Sequence, residues 1–350
     1  MASRELNERE REVLELIIQN FILTANPVGS RFLSKHSSLG LSDATIRNVM
    51  ADLEEEGYIT HPHTSAGRIP TDKGYRLYVN DIMRVGQLSQ NERIKIDQNI
   101  EQLVANRTTQ SDDILRMSSK ILSQISKQIS IVLSPKLATG VFEKLEMVML
   151  SSSKIMVIIS IRSGLVKTIM LEVRAEISRQ KLYELSQVLN ERLSGLTLEE
   201  IRQTFAERVS DYEDTSGLLR VFLDSADKVF DEQPQTERVH ISGKENILAY
   251  PEFEQPEKVR SIIELVENEK VIVHLLEESM SMEMNESVTI RIGKENVESK
   301  IKECSIITAQ YSVGDTIGTV GVIGPTRMNY AKVVRVIDYI AKRLSQTLSS

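Results

Sequence analysis

Hydrophobic positions in the first eighty or so residues fall into short stretches of helical spacing separated by breaks. Asn7 with Glu10 three residues on makes a capping box, and Val13, Leu14, Ile17, Ile18, Phe21 and Ile22 follow as an apolar stripe that Asn26-Pro27 ends. Ser30 opens a second short helix through Phe32 and Leu33, broken by Leu39-Gly40. Ser42 caps a third, in which Ile46, Val49, Met50 and Leu53 point inward before Gly57 stops it. Three such helices within about fifty residues have the layout of a helix-turn-helix domain. Tyr58-Ile59-Thr60 and Arg68-Ile69 then predict two short strands around a polar turn, a wing. Thr71 caps a further helix carrying Tyr75, Tyr78, Val79 and Ile82.

After a linker-like run at 86–91, the spacing predicts helices over 94–104 and 114–129. Residues 147–150, 155–161 and 165–173 read as antiparallel strands. Helical patterns return over 179–193, 198–209 and 218–230, and, amid Pro234, Pro251 and Pro256, over 259–266. Strands are expected again at 271–275, 288–292, 301–311 and 316–323, and a last helix at 330–344. Strands, a helical block, strands and a helix together predict an α+β multidomain chain with a helical insertion. Gly243-Lys244-Glu245-Asn246 recurs as Gly293-Lys294-Glu295-Asn296, through shared turn chemistry or chance.

Composition narrows the function. A chain of 350 residues has room for two or three domains. One cysteine excludes a disulfide framework or a multi-cysteine zinc site. The apolar run between Lys154 and Arg162 is far short of the about twenty residues that a membrane span needs. The charged first fifteen residues leave no secretory core, so a cytoplasmic protein without membrane contact is expected. There is no phosphate loop and no His-Glu-x-x-His. Gly318, Gly321 and Gly324 have the wrong spacing for a dinucleotide site and fit close packing on a strand. His61 and His63 lack companion ligands, and Cys304 reads as a small buried hydrophobe. No catalytic residue, metal or cofactor is expected. A net charge of −7 argues against nucleic acid when the chain is averaged, and 5% aromatics without Trp argues against single-strand stacking.

The local pattern says otherwise. With the apolar face of the third helix inward, the 100° step turns Ala44, Arg47, Asn48 and Ala51 outward. Arg can take guanine O6/N7 and Asn adenine N6/N7 in a major groove, while a solvated helix face is the plain alternative. Ser42 and Thr45 lie at the helix N-terminus, where hydroxyls and free N–H groups suit phosphate. His63, Thr64, Ser65, Gly67 and Arg68 would form the wing tip, with Lys73 and Arg76 on the next helix. Between Gly57 and Asn80, Arg68, Lys73 and Arg76 outnumber the one acid, Asp72.

The runs Leu41-Ser42-Asp43-Ala44-Thr45-Ile46-Arg47-Asn48-Val49-Met50 and His63-Thr64-Ser65-Ala66-Gly67-Arg68-Ile69-Pro70-Thr71-Asp72-Lys73-Gly74-Tyr75-Arg76 resemble the HrcA heat-inducible transcription repressor family. So do Asn246-Ile247 with Pro251-Glu252-Phe253, and Gly318-Thr319-Val320-Gly321-Val322-Ile323-Gly324-Pro325-Thr326-Arg327-Met328-Asn329-Tyr330. The resemblance spans essentially the whole chain. It implies a homodimeric repressor that binds double-stranded DNA at an inverted-repeat (CIRCE-type) operator upstream of heat-shock chaperone operons. It also implies activity maintained by the GroEL chaperonin and lost on heat stress. The implied domains are a winged helix (1–86), a GAF-like domain (87–175 and 269–350) and an inserted dimerisation domain (176–268). Implied DNA-binding residues are Ser42, Thr45, Arg47, Asn48, His63, Thr64, Ser65, Gly67, Arg68, Lys73 and Arg76. Leu218, Leu219, Phe222 and Val229 are dimerisation candidates that equally read as core. A metabolite-gated regulator sensing through the GAF-like domain is the alternative, and the acidic pI leaves room for a non-DNA adaptor. Residues 325–328 would line a pocket or shape entry to the last helix.

Overall fold

Asn7 caps the first helix as expected: its Oδ1 accepts the Glu10 N–H at 3.0 Å, and its own N–H donates to the Glu10 carboxylate at 2.8 Å. The computed structural model describes residues 5–36, 40–62, 67–105, 111–173, 177–214, 216–230, 238–281 and 287–349. Helix α1 (Glu8–Thr24) buries Val13, Leu14, Ile17 and Ile18 and ends at a left-handed Ala25. Helices α2 (Ser30–His36) and α3 (Asp43–Glu55) follow. Strands β1 (Ile59–Thr60) and β2 (Ile69–Pro70) pair antiparallel, with Ile59 opposite Pro70. Thr71 caps α4 (Asp72–Leu77), which runs on as a wider π-type turn through Ile82.

Helices α5 (Gln90–Ala105) and α6 (Ser111–Ser126) lead into β3 (Ile129–Leu133), where helix was expected through 129. Lys127 takes a φ of +60° and ends α6. All five residues of β3 are buried, so the run has none of the alternation that marks a half-buried strand.

Strands β4 (Phe142–Ser151), β5 (Lys154–Ile161) and β6 (Val166–Glu172) form an antiparallel sheet in that order. Next come α7 (Arg179–Leu193), α8 (Leu198–Arg208), α9 (Leu218–Asp224) and α10 (Ala226–Phe230). Inward residues of this sheet and of these four helices make one core, including Leu145, Val157, Ile169, Leu189, Phe205 and Phe222.

The chain continues through β7 (Val239–Ser242), α11 (Pro256–Glu267) and α12 (Glu269–Ser281). Strands β8 (Val288–Ile292), β9 (Cys304–Val313) and β10 (Thr316–Pro325) and helix α13 (Tyr330–Leu348) complete it. A five-stranded sheet has the order β7-β3-β10-β9-β8. Its two edge strands, β7 and β8, each run into a Gly-Lys-Glu-Asn turn whose glycine has positive φ, +79° at Gly243 and +54° at Gly293. The sequence echo is therefore turn chemistry. A Cβ on Gly318, Gly321 or Gly324 would collide with Tyr311, Leu276 or Gln128 respectively, so those glycines serve packing.

The expected strand at 271–275 is instead the middle of α12. Its β-branched composition favours a strand, but Asn268 receives the first helical N–H groups, and Ile272, Val273, Leu275 and Leu276 are buried on one helical face. Residues 1–132, 240–309 and 320–341 form one compact unit, and 133–239, 310–319 and 342–350 a second. The strands β4–β6 share their core with α7–α10, which puts them in one unit.

Candidate nucleic-acid interface

The exposed face of α3 is set by its cap and its buried stripe. Ile46, Val49, Met50 and Leu53 are buried, which turns Ala44, Arg47, Asn48 and Ala51 to solvent. The Ser42 hydroxyl accepts the Thr45 N–H at 3.2 Å, and the two hydroxyls lie 2.9 Å apart. Arg47 donates to Asp43 Oδ2 at 3.0 Å and to Ser30 Oγ at 3.3 Å while its side chain stays 64% exposed. An ion pair this exposed contributes about 0–1 kcal/mol, so Arg47 can exchange Asp43 for a base edge or phosphate at little cost. Ser42, Arg47 and Asn48 are exposed and Thr45 is half-buried, all at the start of α3.

The other end of α3 is internally paired. Arg68 donates to Glu54 at 2.7 Å, and the His61 ring bonds the second Glu54 oxygen. The Arg68 backbone also pairs with Val28, with N–O distances of 2.8 and 2.9 Å. Gly67 is part of that pairing, since a Cβ there would lie 2.6 Å from the Val28 carbonyl. Its missing side chain thus serves packing. His63, Thr64 and Ser65 lie outside the described residues. Lys73 folds back, with Nζ donating to the Glu56 carbonyl at 2.6 Å and lying 4.2 Å from the centre of the Tyr58 ring.

Burial opposes ionisation of Glu54, but the His61 hydrogen bond and the Arg68 charge outweigh it and hold the carboxyl below the usual glutamate range. A folded-state pKa below the unfolded one contributes stability above the unfolded value, lost as pH falls through the folded one. Melting at about pH 7 and about pH 3 should therefore show a larger acid loss for the native chain than for Glu54→Gln. Equal losses would mean that the pair does not contribute.

Arg76 is paired with a carboxylate far along the chain. Its guanidinium holds Glu295, with Nε at 2.8 Å, and donates to the Ile290 carbonyl at 2.6 Å. Charge count along the chain could not have revealed this. Sequence reasoning also missed Ser30 as a tether for Arg47; only its proximity to α3 after folding brings it there. Residues 325–328 are explained by Arg327, which donates to the Ile22 carbonyl at 2.7 Å and pairs with Glu252 at 2.5 Å.

The dimerisation candidates pack within the chain itself. Leu218, Phe222 and Val229 are 0% exposed and Leu219 is 6% exposed, all within the chain's own core. Burial pushes the Cys304 thiol up to about 12, which leaves it unreactive. Among the described residues no group of three or more His, Cys, Asp or Glu side chains could hold a metal, and no helix is long and apolar enough to cross a membrane.

Comparison with known proteins adds the lineage. The HrcA protein C-terminal domain matches residues 112–334. The heat-inducible transcription repressor HrcA of Chlorobium limicola is 50% identical, covering 100% of this chain and 99% of that protein. That of Chlorobaculum tepidum is 48% identical, covering 100% and 99%. A crystal structure of a protein described only as hypothetical superimposes with a TM-score of 0.63 at 26% identity, covering 99% of both chains. With relatives this similar over their full length and a family match across most of the chain, the protein belongs to the HrcA family of heat-inducible transcription repressors.

Proposed function

We propose that this repressor works as a homodimer on an inverted-repeat operator upstream of heat-shock chaperone operons, with residues 1–86 as its winged-helix reading head. The observation that carries the proposal is the placement of Ser42, Thr45, Arg47 and Asn48 at the accessible start of α3. Arg47→Ala and Asn48→Ala should each cost about 1–3 kcal/mol of discrimination between the repeat and a scrambled duplex. Fluorescence anisotropy at several salt concentrations measures it, and unchanged discrimination would remove α3 as the reading helix. Dependence on the GroEL chaperonin enters through the family resemblance, and the same titration with and without chaperonin tests it.

A two-fold operator asks for a two-fold protein. The open face of the β4–β6 sheet offers a surface for it. Val148, Met156 and Met170 stand side by side across the three strands, with Ile158 and Val166 nearby. Val148 is 40% exposed, Met170 44% and Val166 54%. An antiparallel sheet packed on one face, with an apolar patch of this kind on the other, fits an interface better than it fits water.

The metabolite-gated alternative draws on a cavity of about 330 Å³ whose lining includes Phe253, Glu257, Lys258, Lys300, Lys302 and Glu303. Lys258 already pairs with Glu303 at 2.6 Å, and Lys300 with Glu264 at 3.7 Å. Stabilisation by an anionic metabolite in a thermal-shift screen would favour this second reading.

A further inference from the structure

Arg76 spends its charge inside the molecule, and so does the rest of its helix. One turn before it, Asp72 accepts the Lys294 N–H at 3.0 Å. That approach requires Gly293, since a Cβ there would run into the Asp72 carboxylate. Glu295, which receives Arg76, is aimed by the Ile292 N–H at 2.8 Å. Arg327 adds a second hold on the N-terminal segment, through the Ile22 carbonyl in the last turn of α1. The second Gly-Lys-Glu-Asn turn and the 251–253 and 325–330 motifs, which DNA reading leaves unused, thus form a seat for α1 and α4.

The chemistry of this seat suits opening. The Arg76 and Glu295 side chains are 31% and 37% exposed, so water and salt can replace their pairing cheaply. Tyr75 packs against Tyr330 with ring centres 5.8 Å apart, and its buried hydroxyl finds no hydrogen-bond partner among the described residues. That hydroxyl is a cost which opening relieves. Polar contacts of this kind select between two arrangements rather than build a single one. The seated arrangement also neutralises Arg76 on Glu295, whereas Arg68 on Glu54 and Lys73 on the Glu56 carbonyl are held within the N-terminal segment itself. Affinity for duplex DNA follows the phosphates a protein neutralises, so this arrangement offers DNA one cation fewer, that of Arg76.

We propose that the Arg76–Glu295 and Asp72–Lys294 contacts form an autoinhibitory latch, which holds the N-terminal segment in a low-affinity arrangement, so that operator binding draws on the unlatched population. The inference rests on the repressor reading above and deepens it by naming a regulatory contact. Apparent affinity scales with the fraction of chains in the competent arrangement.

The test uses the full chain, comparing native protein with Glu295→Gln and Arg76→Gln. Hydrogen exchange at the Lys294 amide and along α4 reports the latch, and anisotropy with the inverted-repeat duplex reports binding. Both variants should exchange faster at these amides. Glu295→Gln should bind the operator about two- to fivefold tighter, the range that one half-exposed ion pair can shift. Arg76→Gln should gain less, because the freed guanidinium is gone. An unlatched Glu295→Gln chain that binds no tighter than the native chain, while the native chain does bind, overturns the latch alone. Unchanged exchange overturns it too, since the pair would then hold nothing. If neither the native chain nor the unlatched variant prefers the repeat, the repressor reading fails and takes the latch with it.

Discussion

Phe222→Ala is expected to destabilise residues 133–239 by about 3–5 kcal/mol, the usual cost of emptying a phenylalanine site in a core. Phe222 is 0% exposed among side chains from α7–α10 and the β4–β6 sheet, and its neighbour Phe205 sits 5.0 Å, ring to ring, from Phe230. Aromatic rings packed at that distance leave little freedom to collapse into the gap, which places the cost in the upper part of the range. Urea denaturation followed by circular dichroism measures it. The informative comparison is Met170→Lys on the open sheet face. That change should leave stability within about 0.5 kcal/mol and weaken self-association, read by analytical ultracentrifugation. A Phe222→Ala chain with normal stability but lost self-association would return the residue to an interface and overturn the core assignment.

Gly74→Ala is the second large effect, and two opposed terms decide its sign. Alanine is better than glycine inside a helix by about 1 kcal/mol. Against that, a Cβ at Gly74 would collide with the Tyr58 carbonyl oxygen and sit 3.2 Å from its carbon. That carbonyl cannot swing away, because it accepts the Thr71 N–H at 3.1 Å and the Thr71 hydroxyl at 3.1 Å. Overpacking against fixed backbone costs about 1–3 kcal/mol or more, so a net loss of about 2 kcal/mol is expected. It should appear as faster hydrogen exchange in α4 and weaker operator binding, with β4–β6 unaffected. A stabilised Gly74→Ala chain would mean that α4 is not clamped on the Tyr58 carbonyl. Gly74 belongs to the run that resembles the family, and a clamp is a physical reason for a glycine there.

The sequence by itself determined what depends on neighbours within a few residues. Caps and helical stripes marked α1, α3 and α4, because Asn7, Ser42 and Thr71 each bond a backbone N–H three residues on. The same locality made the α3 face legible: once Ile46, Val49, Met50 and Leu53 are buried, helix geometry leaves Arg47 and Asn48 outside. Elements buried without alternation escaped. β3 lacks a polar face, and the β-branched run in α12 favours one conformation by propensity while burial selects the other.

Tertiary structure decided how charge and burial are used. Arg68, Lys73 and Arg76 look alike as a basic cluster, yet Arg68 finds Glu54 fourteen residues away and Arg76 finds Glu295 at a separation of 219. A formal charge is fixed by residue type, whereas its availability to DNA depends on which carboxylate the fold brings beside it. Leu218 and Phe222 carry the same ambiguity, because an apolar side chain serves a core or an interface equally well until packing fills one of the two. Periodicity and caps act over one helical turn and can be read along the chain; pairing and packing act through space and appear only once the chain has folded.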